Sequence, residues 1–380
     1  MLQCRLPRCF AATGRQSSRF ALPKSFQGIL CKCIFIVKPS SLGDIVHTLP
    51  LAHALKRGLP DAHIGWAVDS AFQPLLAADP TIASLYPMHI PATSAPGAGR
   101  GVYGKALRAL LATMRGLRAA LRSRPYDVVL DLQASFRSGL LALMNPGGRR
   151  IGFADARELN TLFQHEGIRV PAGMEHAVEK NSLFAAHLGA PVREEDFFLA
   201  STDEAEAAVS AFLQNEGLAS EPWVYAQPAA RWASKEWLPE RWAELADRLP
   251  AFGLQCVFGG SAADLPHLQR IAAGMRARAH IAAGRLNLVA AAALIRRARL
   301  YVGVDTGPMH MAALAAVPVV ALFGPTHPER VGPYHTKSRV LQAAGLPCLR
   351  CRRRLCEHQR CMQGISVAMV TRAVRELLEP

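Results

Sequence analysis

The stretch Tyr301–Tyr334, YVGVDTGPMHMAALAAVPVVALFGPTHPERVGPY, reads as a strand, a tight turn, a helix, a second strand and a Gly-Pro-rich exit loop. The turn is Asp305-Thr306-Gly307, a carboxylate, a hydroxyl and a glycine at a strand tip where a helix begins. A helix start offers unpaired N–H groups and a positive dipole end, so it favours an anion. The turn lacks the G-x-x-x-x-G-K-[ST] of a P-loop and the G-x-G-x-x-G of a dinucleotide site. Phosphate binding through backbone N–H groups and Thr306 stays open.

The same strand–helix alternation extends outward on both sides. Upstream, LQCVFGG, NLVAAAALIRRA and RLYVGVD read as strand, helix and strand, after a strand WVYAQPAA and a helix LPERWAELADRL. In the first half, strands are expected at Ile34–Val37, Ile64–Val68, Pro125–Gln133 and RRIGF (149–153), with helices over about Asp44–Lys56, Lys105–Arg122 and MEHAVEKNSLFAAHLGA. Short apolar runs of this kind suit buried parallel strands, and strict alternation with helices marks doubly wound sheets. The acidic, polar stretch PVREEDFFLASTDEAEAAVSAFLQNEGLASEPW reads as a linker between the halves. The expected fold class is α/β, two doubly wound Rossmann-like domains facing a cleft, with ligands at the carboxyl ends of the strands. The expected division is a basic extension over 1–30, a first domain over 31–200 and a second over 201–380.

Lys and Arg number 44 against 29 acids in 380 residues, a formal charge of +15. The excess points to an anionic partner or to an Arg-rich proteome. The longest apolar run, MAALAAVPVVALFG, is too short for a membrane span and is broken by Pro318. Residues 1–30 are acid-free, which fits a transit peptide, a disordered tail or a mis-assigned start. Nine cysteines make no disulfide scaffold, and a cytosolic setting is expected. Four of them, Cys348, Cys351, Cys356 and Cys361, follow C-x2-C-x4-C-x4-C. They could bind zinc or an iron–sulfur cluster, stay reduced in a packed hairpin, or pair on oxidation. Arg350, Arg352, Arg353 and Arg354 beside them read as a solvated basic loop or as a lipid-phosphate contact.

Three strand ends carry the candidate chemistry. In Lys38-Pro39-Ser40-Ser41-Leu42-Gly43-Asp44, Asp44 opens a helix, either as a cap alone or as a general base held ionised by the helix start. In QPAARWASKEWLPERW, Lys235 is either a surface lysine or a phosphate ligand. The Asp305 turn is the third.

Taken together, VKPSSLGDIVHTLP, SKEWLPERW and GVDTGPMHMAA…FGPT resemble the ADP-heptose:lipopolysaccharide heptosyltransferases, glycosyltransferase family 9. DARELNTLF and EHAVEKN resemble the heptosyltransferase I group, while the cysteine cluster is more typical of heptosyltransferase II. The resemblance implies a GT-B fold and an inverting transfer of heptose from ADP-heptose to the Kdo of lipid A. It implies no catalytic metal, no cofactor and no nucleic acid partner, at the cytoplasmic face of the inner membrane. By resemblance, Asp44 is the base. Lys235, Leu286, Asp305, Thr306, Gly307, Pro308, Met309 and His310 hold the donor, with Leu286 over the adenine. Lys38, Arg157, Lys105 and Arg108 meet the acceptor. The alternatives are another family 9 sugar transferase, or a non-catalytic protein that binds anionic surfaces. The loop Thr93–Gly104 is an acceptor loop or a plain linker.

Overall fold

The structure, a computed structural model, describes residues 33–89 and 101–379, without the side chains of 101–103 and 105–107. The extension 1–30 and most of the Thr93–Gly104 loop lie outside the described residues, as does the Lys105 side chain.

Among the described residues twelve strands form two six-stranded parallel sheets. The first holds β1 (Cys33–Val37), β2 (His63–Asp69), β3 (Ser84–Met88), β4 (Val128–Asp131), β5 (Arg149–Phe153) and β6 (Glu166–Ile168), in the order β3-β2-β1-β4-β5-β6. The second holds β7 (Trp223–Gln227), β8 (Gln255–Phe258), β9 (His280–Ile281), β10 (Leu300–Val304), β11 (Val319–Leu322) and β12 (Ser338–Leu341). Its order is β12-β11-β10-β7-β8-β9, the same 3-2-1-4-5-6 plan counted from β7. In each sheet the strand order reverses between the first and fourth strands, β1/β4 and β7/β10. A crevice opens at such a reversal, and the loops that leave these four strands surround it.

The central strands are buried on both faces. Ile34, Phe35, Ile36 and Val37 of β1, and Leu300, Tyr301, Val302 and Val304 of β10, are all fully enclosed. This explains their unbroken apolar runs. In the second half Trp237 and Trp242 meet edge to face with rings 5.2 Å apart and are wholly buried under β7 and β8. They fix the start of the helix Pro239–Arg248.

Several expectations need correction. The helix expected over Asp44–Lys56 is two helices, Leu42–Val46 and Leu49–Gly58. Pro50 fits only in the first turn of a helix, so the second begins afresh there. The stretch read as a linker contains a full helix, Asp203–Glu216, capped by Thr202 with Asp203, Glu204 and Glu206 in its first turn. It packs on Leu288–Arg297 of the second half, while Ala177–His187 packs on Leu49–Gly58 of the first. The edge strands β3, β6, β9 and β12 and the final helix Val367–Leu378 lie beyond the elements expected from sequence.

Candidate active site

The first loop leaves β1 at Lys38. Ser41 is the N-cap of the helix Leu42–Val46, so Asp44 is its third residue and not its opening one. One carboxylate oxygen of Asp44 accepts from the Ser41 N–H at 2.8 Å and from the Ser41 hydroxyl at 2.7 Å. The other faces Lys38 Nζ at 3.8 Å, and the Asp44 side chain keeps 40% of its surface in solvent. Asp44 therefore does cap its helix, yet one oxygen remains accessible. Loss of hydration pushes its carboxyl up, but the Lys38 charge and the two Ser41 hydrogen bonds outweigh this and hold it below the usual carboxylate range. It is an ionised acceptor at neutral pH.

Lys38 is buried and donates to the Leu132 carbonyl at 2.8 Å, bridging the ends of β1 and β4. Its charge is fixed beside Asp44, not projected outward. Arg157 is exposed on the loop after β5, and Arg108 is exposed on the helix Gly101–Ser123.

The second loop leaves β7. Lys235 closes a short turn Ala233–Lys235 and donates to the Asp305 carboxylate at 2.8 Å and to the Asp305 carbonyl at 3.0 Å. Asp305 follows β10, so this pair spans the reversal point of the second sheet. Trp232 lies under the ammonium, 4.7 Å from Nζ to ring centre, with the Arg354 guanidinium 5.5 Å from the same ring. The Ser234 N–H and hydroxyl donate to the carbonyls of Arg354 and Arg353. The arginine-rich segment, left open in the sequence as a solvated loop, is thus tied to the Lys235 turn. Sequence reading missed Trp232. Its signal was the spacing Trp232-x-x-Lys235, which places an aromatic face within reach of the lysine.

The third loop opens the helix Gly307–Leu314 with Thr306 at its N-cap. Thr306, Gly307 and Pro308 are half-buried, whereas Met309 is fully enclosed and can offer a ligand only its backbone N–H. Leu286 is half-buried after β9, next to the cap residue Asn287. Asp264 accepts from the Ser261 N–H and hydroxyl at 2.7 and 2.8 Å. It repeats the Ser41–Asp44 turn.

The first and third loops touch across the two halves. A Cβ on Gly43 would stand 2.5 Å from His310 Cδ2, and one on Gly307 would stand 2.5 Å from Leu42 Cδ2. Both positions need glycine because the two helices cross there at closest approach. At this crossing His47 Nε2 and His310 Nδ1 are 3.0 Å apart. His310 Nε2 points to Asp305 Oδ1 at 3.7 Å. Burial pushes the His310 imidazole down to about 3, aided by the charges of His176 and Lys235, and pushes His47 well below its usual range. Both rings are neutral. Donation from His47 Nε2–H to His310 Nδ1 leaves His310 Nε2–H toward Asp305 and a bare lone pair at His47 Nδ1. That atom has no hydrogen-bond partner among the described residues, and an orphan acceptor costs less than an orphan donor. His176 completes the cluster, its ring 5.4 Å from His47 and its Nε2 3.0 Å from the Gly332 carbonyl.

Cys348 and Cys351 are exposed, Cys356 is half-buried and Cys361 is buried against Gly324. Burial pushes the Cys361 thiol up, and the nearby Cys348 and Cys351 push it further. Among the described residues no group of three or more His, Cys, Asp or Glu could hold a metal ion.

Two parallel sheets on one plan, with a carboxylate loop on one side and a lysine, a carboxylate and a helix start on the other, define a sugar transferase of the GT-B class. The chain belongs to glycosyltransferase family 9 (heptosyltransferase), whose model matches residues 114–362. It is 32% identical over 334 residues to lipopolysaccharide heptosyltransferase 1 of Pseudomonas aeruginosa, covering 86% of this chain and 88% of that one. Its fold matches the family 9 glycosyl transferase of Veillonella parvula with a TM-score of 0.76 at 23% identity, over 91% of this chain and 97% of that one. It also matches the heptosyltransferase WaaC of E. coli, solved with ADP-2-deoxy-2-fluoro heptose, with a TM-score of 0.69 at 24% identity, over 90% and 99%.

Proposed function

We propose that this enzyme transfers heptose from ADP-heptose to the Kdo of lipid A, the first heptose of the lipopolysaccharide inner core, by one inverting displacement without a metal. The observation that carries the reading is the crossing of the Asp44 helix with the helix opened by Thr306, which supports a carboxylate and a helix start acting on one substrate. Asp44 takes the proton of the acceptor hydroxyl. The ADP leaving group gains negative charge as the glycosidic bond breaks. Lys235, freed from Asp305 by the incoming diphosphate, and the N–H groups at Thr306–Met309 stabilise that charge. Leu286 covers the adenine, and Arg354, over the Trp232 ring, extends the cationic wall beside Lys235. His310 positions the two loops by packing on Gly43. Arg157, Arg108 and Lys105 meet acceptor phosphates, while Lys38 sets the charge of Asp44.

The acceptor reading rests on the DARELNTLF and EHAVEKN motifs and on the similarity to a heptosyltransferase 1. The cysteine spacing supports the second-heptose reading instead. Among the described residues no helix is long and apolar enough to cross a membrane. For a lipid acceptor we propose peripheral contact at the cytoplasmic face of the inner membrane.

The test is to incubate the purified chain with ADP-heptose and either Kdo-lipid A or a mono-heptosylated core, following ADP release and product mass. Heptose on Kdo-lipid A is the expected result. Transfer only to the heptosylated core moves the enzyme to the second step. No turnover with either, in folded protein, sinks both.

A further inference from the structure

We infer that the apolar knob formed by Phe136, Leu159 and Leu162, at the carboxyl end of the first sheet, docks this enzyme on an anionic lipid surface. Leu162 is 75% exposed, Leu159 66% and Phe136 44%. The Leu162 N–H donates to the Leu159 carbonyl, and the Phe136 N–H donates to the carboxylate of Glu158, the residue before Leu159, which brings the three together. Phe136 meets Phe163 edge to face at 5.2 Å, and the short helix Asn160–Phe163 packs against Phe136–Ala142. Single exposed leucines need no explanation, but a cluster of large ones does.

The knob is held out by a rigid support. Phe163 lies flat on Gly139, where a Cβ would stand 2.2 Å from its ring. Beneath it, the buried Asp131 carboxylate at the end of β4 accepts from the Ser138 hydroxyl at 3.0 Å, the Asn160 amide at 2.7 Å and the Gln164 amide at 3.2 Å. Asn160 also donates to the Ser135 carbonyl at 2.7 Å. Glu158 and Leu159 both take left-handed backbone, at φ 57° and 58°, and the Glu158 carboxylate accepts from the Phe136 N–H. A buried polar network therefore anchors a loop whose leucines face water.

Charge selects the occupant. Arg137 and Arg157 stand next to the knob in the chain, against Asp155 and a Glu158 already engaged at the helix start. The helix Gly101–Ser123, which packs on Phe136–Ala142, carries Lys105, Arg108, Arg115, Arg118 and Arg122 and no acid. Apolar side chains beside a basic helix match the boundary between acyl chains and anionic headgroups. The inference rests on the proposed function to the extent that a lipid acceptor gives the docking a purpose.

The experiment is co-sedimentation with vesicles of phosphatidylglycerol and phosphatidylethanolamine, without donor or acceptor, for wild type and for Leu159→Ser/Leu162→Ser. We expect wild type to bind, neutral phosphatidylcholine vesicles to bind weakly, and the double variant to lose about tenfold in partitioning with an unchanged thermal midpoint. Phe136→Ser provides a second, independent loss. Equal sedimentation of wild type and double variant, or none by wild type, overturns the docking. So does a concentration-dependent dimer that the double variant abolishes in place of vesicle binding. Failure of heptose transfer with vesicle binding intact would remove the proposed reaction and leave the docking standing.

Discussion

Gly43 and His310 belong to different halves of the chain, and the backbone of one rests on the imidazole of the other with no room for a methyl group. Gly43→Ala is therefore expected to destabilise the enzyme by about 1–3 kcal/mol through overpacking. The thermal midpoint checks this. Adding His310→Ala to the same chain should recover part of the loss, as neighbouring substitutions couple.

Asp44→Asn keeps an oxygen able to accept from Ser41, so the helix start should survive. It removes the charge that takes the acceptor proton. Turnover should fall about 10²–10⁴-fold with ADP affinity nearly unchanged. Single-turnover transfer and ADP calorimetry separate the two. Unaltered turnover would exclude Asp44 as the base.

Lys235→Met leaves the buried Asp305 carboxylate without its cation and should cost roughly 3 kcal/mol of stability. ADP affinity should fall about tenfold to a hundredfold, the scale of a lost charge-assisted hydrogen bond. Lys235→Met/Asp305→Asn should regain much of the stability but little of the affinity. Denaturant unfolding and calorimetry on the pair check whether the lysine has these two separable roles.

The neutral histidine pair makes stability depend on pH. His310 is depressed to about 3 from its ordinary 6.5, so the unfolded chain binds the extra proton first. This stabilisation is fully present above about 6.5 and is lost as pH falls toward 3, by up to about 1.4 kcal/mol per pH unit for each histidine kept neutral. His47, depressed well below its ordinary value, adds in the same direction. The melting temperature should drop between pH 7 and 5, and more shallowly in His310→Gln. An equal slope in both would show that other groups carry the effect.

Much of the architecture was legible because parallel strands buried on both faces leave unbroken apolar runs: Ile34–Val37 is β1 but for its first residue. The helix Asp203–Glu216 was missed although Thr202 and three acids announce its start. Its polar outer face outweighed those signals, and the acidic composition read as linker. At the site, Asp44, Lys235 and Asp305 stood out as polar residues at strand ends. Their pairings did not. Lys235 meets Asp305 70 residues away, and His47 meets His310 263 residues away, so neither contact leaves a local pattern. Asp131 was passed over because VVLDLQ reads simply as a strand.

The shared strand order of the two sheets gives Asp131 and Asp305 a common address, each at or just past the end of the fourth strand of its half. One carboxylate is sealed by neutral amides and a hydroxyl. The other is closed by a lysine salt bridge. A neutral seal has no affinity for an arriving diphosphate, whereas an ammonium can change partners. Under the proposed reaction, one blueprint thus yields a fixed keystone in the first half and a removable latch in the second, and only the latch can take part in turnover.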